Sequence, residues 1–212
     1  MLIKPPILLA KRKDVDLINN MELAKLDNKS QEYNIKEHKQ DDDLDKKHSF
    51  TDDDKKYEIN YLKNNILAEE KLILKIGAQV MCIANIDMEG TNAIVNGSQG
   101  IIVDIKDELP VVEFKNGETR IIKEHLWKSE IIPGIGIKQI PLIHAWAITI
   151  HKAQGLSLES AQIDIGKNIF ECGQTYVALS RVISLEGLYL IAFSPNKIKL
   201  FKKVIDYYEK LI

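Results

Sequence analysis

The sequence contains few cysteines, no one-sided charge and no long apolar run, and each shortage excludes a class of protein. Two cysteines, Cys82 and Cys172, lie far apart in the chain, which provides neither a disulfide framework nor the ligand spacing of a zinc site. A reducing, intracellular compartment is therefore expected. No apolar stretch approaches the ~20 residues of a membrane-spanning helix, so no membrane partner is expected. The opening MLIKPPILLAKRKD has a short apolar stretch, but Pro5 and Pro6 interrupt it and no small-residue cleavage site follows, so a secretory signal is not expected. Aromatic residues make up 7%, and 29 Lys and Arg face 31 Asp and Glu for a net charge of −2. A sequence pI near 6.2 argues against nucleic-acid binding by overall charge, so any such site must be local.

What is present describes an ordinary folded chain. Its 212 residues, 45% hydrophobic and 28% charged, suffice for one large domain or two small ones. The charge is uneven: residues 37–58 (EHKQDDDLDKKHSFTDDDKKYE) hold nine acids and five bases, which leaves the rest of the chain slightly basic.

The pattern divides the chain into four stretches. In residues 7–26, ILLA precedes Val15, Ile18, Leu23 and Leu26 at near-helical spacing behind Asp14, which reads as strand, turn and helix with Asp14 as N-cap. From about 28 to 65 apolar residues almost vanish, and the segment reads as an acidic surface loop or low-complexity insertion, either solvated or a partner-binding arm. Residues 72–132 contain Val- and Ile-rich runs broken by Asn96-Gly97 and Asn116-Gly117; the second pair predicts a tight hairpin, and the whole suggests a small antiparallel barrel. The Gly- and Pro-rich PGIGIKQIP, 133–141, reads as a connection.

From 142 onward, LIHAWAITI, AQIDIG and GLYLIAF read as strands, and GQTYVALSRV and NKIKLFKKVIDYYEKLI as helices. HKAQGLSLE reads as a turn leading into a short helix. The last helix places Ile198, Phe201, Val204, Ile205, Tyr208 and Leu211 on one face. Such alternation implies a parallel α/β sheet, which the strand and helix of 7–26 would join, with the barrel inserted. The expected organisation is 1–27, 28–71 (acidic insertion), 72–140 (barrel) and 141–212.

Two segments could carry chemistry. AITIHKAQGLSLE, 147–159, places Thr149, His151, Lys152, Gln154 and Gly155 at the carboxyl end of a buried strand, the edge where open α/β sheets bind ligands. Polar donors beside a glycine suit phosphate, of a nucleotide or of a nucleic-acid backbone; an ordinary strand-to-helix turn is the alternative. In GQTYVALSRVISLEGL, 173–188, Arg181 ends an apolar helix and is either a surface cation with its stem on apolar neighbours or a planar fork for phosphate oxygens. Trp127 and Trp146 could stack on bases or belong to the core. His38 and His48 read as solvated, His125 and His144 as structural, and both cysteines as buried thiols.

Together AITIHKAQGLSLE and QTYVALSRVISLEGL resemble the fifth and sixth motifs of superfamily 1 DNA helicases, most of all the Pif-type enzymes, with RecD-like relatives close. KIGAQVMCIANID, VNGSQGIIV and KQIPLIHAWAITIHKAQG occur in that family in the same order, and ILLAKRKDVDLINNMEL resembles the strand and helix that open its second motor domain. The resemblance implies a RecA-like α/β domain interrupted by a barrel of the Src-homology-3 kind. It implies the C-terminal motor half of an ATP-dependent helicase moving 5′ to 3′ on single-stranded DNA. Arg181 would be the arginine finger, with Gln154 and Gly155 beside the nucleotide. Thr149, His151 and Lys152 would face the DNA.

One departure is an absence. No Gly-x-x-x-x-Gly-Lys followed by Ser or Thr occurs, so nothing here cradles the β and γ phosphates. Asp107-Glu108, just before Pro110, reads as a turn and not as a magnesium pair. The resemblance therefore implies that ATP and Mg²⁺ are held mainly by a chain or domain carrying the phosphate loop, and that these 212 residues alone are inactive. A non-catalytic remnant that binds single-stranded DNA or a helicase partner is the alternative.

Overall fold

A computed structural model of the chain describes residues 3–40, 50–88 and 93–211. In chain order the first half comprises β1 (Ile7–Leu9), α1 (Arg12–Ala24), β2 (Ser30–Asn34), β3 (Lys36–Lys39), α2 (Asp52–Asn65), β4 (Lys71–Lys75), β5 (Gln79–Cys82) and β6 (Gln99–Lys106). The second half comprises β7 (Leu109–Phe114), β8 (Thr119–Ile121), β9 (His125–Lys128), β10 (Ile135–Gln139), β11 (Leu142–His144), β12 (Ala147–Thr149), β13 (Ala161–Ile165), α3 (Gln174–Leu179), β14 (Leu188–Phe193) and α4 (Lys202–Glu209). Two compact units result: residues 1–25 with 144–212, and residues 26–143.

The first unit is built on a four-stranded sheet of order β12-β1-β13-β14, with every pairing parallel. Leu8, Ile148 and Ile163 are buried on three adjacent strands, β1, β12 and β13, as a sheet formed by crossovers requires. Helix α1 covers β1 and β12 through Val15, packed with Leu9 and Ala147. On the outer edge of β12, Asn19 clamps Ala147 from both sides, its Nδ2 donating to the carbonyl at 3.0 Å and its Oδ1 accepting the N–H at 2.9 Å. One side chain thus satisfies the two backbone groups that an edge residue leaves open. At Gly187 the chain passes so close to Glu159 that a Cβ would stand 1.9 Å from its carbonyl oxygen.

The second unit holds a five-stranded sheet, β11-β5-β6-β7-β8, a three-stranded sheet, β3-β10-β9, and the pair β2-β4. The hairpin predicted at Asn116-Gly117 joins β7 to β8, with Gly117 at φ +87°. Buried Gln139 donates to the Tyr33 and Glu69 carbonyls at 3.1 and 3.0 Å and accepts from Ile140 N at 2.8 Å. Burial, with Glu108 adding to it, pushes the Tyr33 phenol up to about 12, and burial pushes the Cys82 thiol up to about 11.

Several expectations are corrected. The described residues of 28–65 form regular elements: β2 pairs with β4, β3 with β10, and α2 opens on a capping box in which Thr51 and Asp54 exchange hydrogen bonds. Few apolar residues suffice because their partners supply the rest, Ile59 packing with Ile132, Ile135 and Ile137. The part of the acidic stretch at 41–49, His48 included, lies outside the described residues. PGIGIKQIP contains a central strand, β10, hydrogen-bonded on both edges. Helix α1 begins with Lys11 as N-cap, and Asp14 sits within the first turn, where a carboxylate favours the helix dipole. LIHAWAITI breaks into β11 and β12, and the turn in HKAQGLSLE leads to strand β13 without the expected short helix between them. Cys172 is half-buried.

Candidate functional site

Strand β12 is short and wholly buried, and its last residue organises the turn that follows. The Thr149 carbonyl accepts Ala153 N at 3.0 Å and its Oγ1 accepts Lys152 N at 3.1 Å. Gln154 N reaches the His151 carbonyl at 3.1 Å, and Leu156 N reaches that of Ala153 at 3.0 Å. Ile150, Ala153 and Leu156 are buried, so the turn is anchored by its apolar residues and presents the others outward. His151 and Gln154 are exposed and Lys152 is half-buried. Gly155 takes φ +82° with open space around its Cα, so glycine is required there by the backbone conformation.

Arg181 is held against the end of this turn. Its Nε donates to the Val177 carbonyl at 3.0 Å, Nη1 to the Leu156 carbonyl at 3.2 Å and Nη2 to Ser180 Oγ at 2.9 Å. Its own carbonyl accepts Leu158 N at 2.8 Å, and a parallel bridge pairs Leu158 with Val182. None of these partners is a carboxylate, so a fixed guanidinium keeps its positive charge un-neutralised, as a phosphate-directed cation must.

A cleft of about 500 Å³ opens outside the carboxyl ends of β1 and β12. Ala10, Lys11, Arg12 and Lys13 line it from the β1–α1 turn, Thr149, His151 and Lys152 from the turn after β12, and Phe170 from the segment before α3. Parallel pairing places Leu9 beside Thr149, which brings the two turns together. Lys11 Nζ donates to Asn168 Oδ1 at 3.1 Å, and Arg12 lies 3.7 Å from Asp16 with both side chains exposed. His151 Nε2 stands 3.1 Å from Glu171 Oε2, and its ring flanks that of Phe170 at a centroid distance of 6.3 Å.

Of the residues expected from sequence, Thr149, His151 and Lys152 line this cleft, Gln154 and Gly155 share their turn without lining it, and Arg181 ties down the turn's far end. Sequence reasoning missed Lys11, Arg12, Lys13 and Phe170. The run of three cations after a short strand was a legible signal for the first three, whereas nothing in the sequence marked Phe170. A larger cleft of about 670 Å³ lies within residues 26–143, where Lys36 pairs with Glu124 at 2.6 Å and Glu32 with Lys71 at 2.8 Å. The lysine holds the Glu32 carboxyl below its ordinary range.

Among the described residues no group of three His, Cys, Asp or Glu is placed to hold a metal ion. Asp107 and Glu108 form the β6–β7 turn at φ 48° and 61°. Trp127 packs against the core cluster under α2, and half-buried Trp146 stacks on His144 at 5.6 Å. No helix among the described residues is long and apolar enough to cross a membrane.

Comparison with known proteins places this geometry. The family model described as DNA helicase Pif1, 2B domain, matches residues 59–105. The mouse ATP-dependent DNA helicase PIF1 is 40% identical over 145 residues, spanning 66% of this chain and 22% of that protein. The crystal structure of Pif1 helicase from Candida albicans superposes with a TM-score of 0.72 at 31% identity, over 99% of this chain and 50% of that one. Pif1 helicase from Bacteroides, solved in complex with ADP-AlF3 and single-stranded DNA, gives 0.62 at 26% identity, over 99% of this chain and 45% of its own. This chain thus spans about half, or less, of each relative that it matches. Over the part that they share, it belongs to the Pif1 helicase family.

Proposed function

We propose that this chain is the second motor unit of a Pif-type ATP-dependent DNA helicase moving 5′ to 3′, its RecA-like sheet formed by 1–27 and 141–212. In this reading the insertion comprises the acidic segment 28–71 and a Src-homology-3-like barrel at 72–140. The observation that carries the reading is the bond from Arg181 Nη1 to the Leu156 carbonyl at 3.2 Å, which joins the guanidinium to the same turn that exposes His151 and Lys152. A shift of the turn at one end displaces residues at the other, and a motor that couples hydrolysis to its grip on a strand needs such a connection.

The residues fit a phosphate but not a metal. Among the described residues Arg181 is a fixed cation without a carboxylate partner and no set of metal ligands exists, so no step here passes through Mg²⁺. ATP, when bound, supplies the phosphoanhydride whose cleavage spreads negative charge over the γ-phosphate oxygens. Arg181 offers that charge its planar fork, already oriented by Val177, Leu156 and Ser180. Gly155 and Gln154 border the same side, and Thr149, with Lys152 N on its hydroxyl, keeps the strand-facing turn in shape. Lys152 and His151 then face the DNA phosphates.

An arginine finger contributes on the order of 10³ to 10⁵ in rate only opposite bound phosphates, and no phosphate-loop sequence occurs here. The purified chain is therefore expected to hydrolyse no ATP with Mg²⁺ and single-stranded DNA, and to restore DNA-stimulated turnover when a phosphate-loop domain is supplied. Turnover by the chain alone would overturn the half-motor reading.

A further inference from the structure

The cleft contains a group that the motor reading leaves unused. Phe170 is 58% exposed and carries no polar atom, yet it borders a cleft whose other walls are cationic. An isolated exposed phenylalanine needs no explanation. One set beside Lys11, Arg12, Lys13 and Lys152, over the small buried Ala10, presents a flat apolar face amid positive charge. The ligand complementary to both is a planar ring joined to a phosphate, as in a nucleobase with its backbone.

The neighbours fix the arrangement. His151 flanks the phenyl ring at a tilt of 33° and is itself held by Glu171, so it borders the ring without lying parallel on it. Lys11 is engaged by Asn168, and Arg12 by Asp16, whereas among the described residues Lys13 has no acidic partner. Its ammonium is the cation on this wall that is open to a phosphate.

We propose that Phe170 is the stacking platform for one base of single-stranded DNA, with Lys13 on the adjoining phosphate. This rests on the reading of the cleft as the DNA side of the motor and adds to it a base contact and a second cation. The interaction is indifferent to sequence, because every base has a π face.

The test is binding of the whole 212-residue chain to fluorescein-labelled oligo(dT) and to an abasic strand of equal length. Phe170→Ala is expected to weaken oligo(dT) binding at least about five-fold and to leave the abasic strand unchanged. Phe170→Trp, which keeps an aromatic face, should restore binding. Lys13→Ala should weaken both strands alike and lower the salt slope by about 0.7. Equal losses on both strands with Phe170→Ala, or none on either, would overturn the stacking while leaving the DNA side intact. No binding of either strand by the wild-type chain would overturn both. Displacement of the strand by free ATP, with the same dependence on Phe170, would reassign the site to a mononucleotide and overturn the strand assignment.

Discussion

The two units handle charge differently. In residues 26–143 the lysines and carboxylates largely neutralise one another: Lys63 lies 3.1 Å from Glu37, and Arg120 2.8 Å from Glu118. Buried Glu58 takes the Ser129 hydroxyl at 2.7 Å. In residues 1–25 and 144–212 Lys11, Arg12 and His151 have partners at the head of the sheet. Among the described residues, however, Arg181 has only neutral partners and meets no carboxylate, and α4 buries none of its residues. Ion pairs within a unit leave its charges no vacancy for an outside ligand. A fixed guanidinium with neutral partners keeps its charge available to an anion.

The sharpest way to break this contrast is Arg181→Ala in an enzyme completed by a phosphate-loop domain. Hydrolysis should fall by about 10³ or more, far beyond what the loss of three side-chain hydrogen bonds, about 1 kcal/mol each, takes from the stability of the chain. Arg181→Lys should not rescue, because a point charge lacks the fork; full turnover in either variant would remove Arg181 from the site.

Gly187→Ala tests the other side of the contrast, the packing of the first unit. With a Cβ 1.9 Å from the Glu159 carbonyl oxygen, backbone must move, at a cost of about 3 kcal/mol or more. The chain has two tryptophans, one in each unit, so a Trp127→Phe background leaves Trp146 to report this unfolding in urea. Trp127 alone should report an unchanged second unit.

Within the second unit, Thr51→Ala removes the capping box of α2 and should cost about 1 kcal/mol, read by Trp127 fluorescence in a Trp146→Phe background. The Thr51 hydroxyl and backbone N–H hold the Asp54 carboxyl below its ordinary value. That contribution is present above the unfolded value and is lost as pH falls through the lowered folded one, so Thr51→Ala should flatten the acid limb of the stability profile below about pH 4.

The smallest expected effect belongs to His125, whose burial holds the imidazole below its ordinary 6.5. Above that value both states are neutral and nothing changes. As pH falls below it the unfolded chain takes the proton first, so stability declines until the folded value is passed and then levels. His125→Phe should remove that decline; a profile that falls equally in the variant would assign it to other groups.

The sequence made some of this legible through local chemistry. Asn116-Gly117 closes β7 to β8, and the alternation after residue 142 yields β12, β13, α3 and β14. The acidic stretch misled because apolar content was judged within the segment, whereas Tyr33 and Ile59 gain their burial from β4 and from the cluster under α2. PGIGIKQIP misled because its punctuating residues outweighed the alternation that makes β10 a central strand. The amphipathic face of the last helix was legible, but Phe201, Val204, Ile205 and Leu211 stay 41–63% exposed, since periodicity shows that a face exists and not what covers it.

By itself the sequence determined the motifs at 147–159 and 173–188, the absence of a phosphate-loop pattern, and the residue types available for binding phosphate. Only the tertiary structure decided that β1 lies between β12 and β13, which sets Lys11 to Lys13 beside His151 and Lys152, brings Phe170 to the same cleft, and lays the Arg181 guanidinium on the carbonyl of Leu156. Propensity and turn chemistry act over a few residues and are written locally. Strand order and the contacts at a sheet's carboxyl edge join positions up to 157 residues apart, as in Lys11 and Asn168, and are fixed by which crossovers bury the most apolar surface.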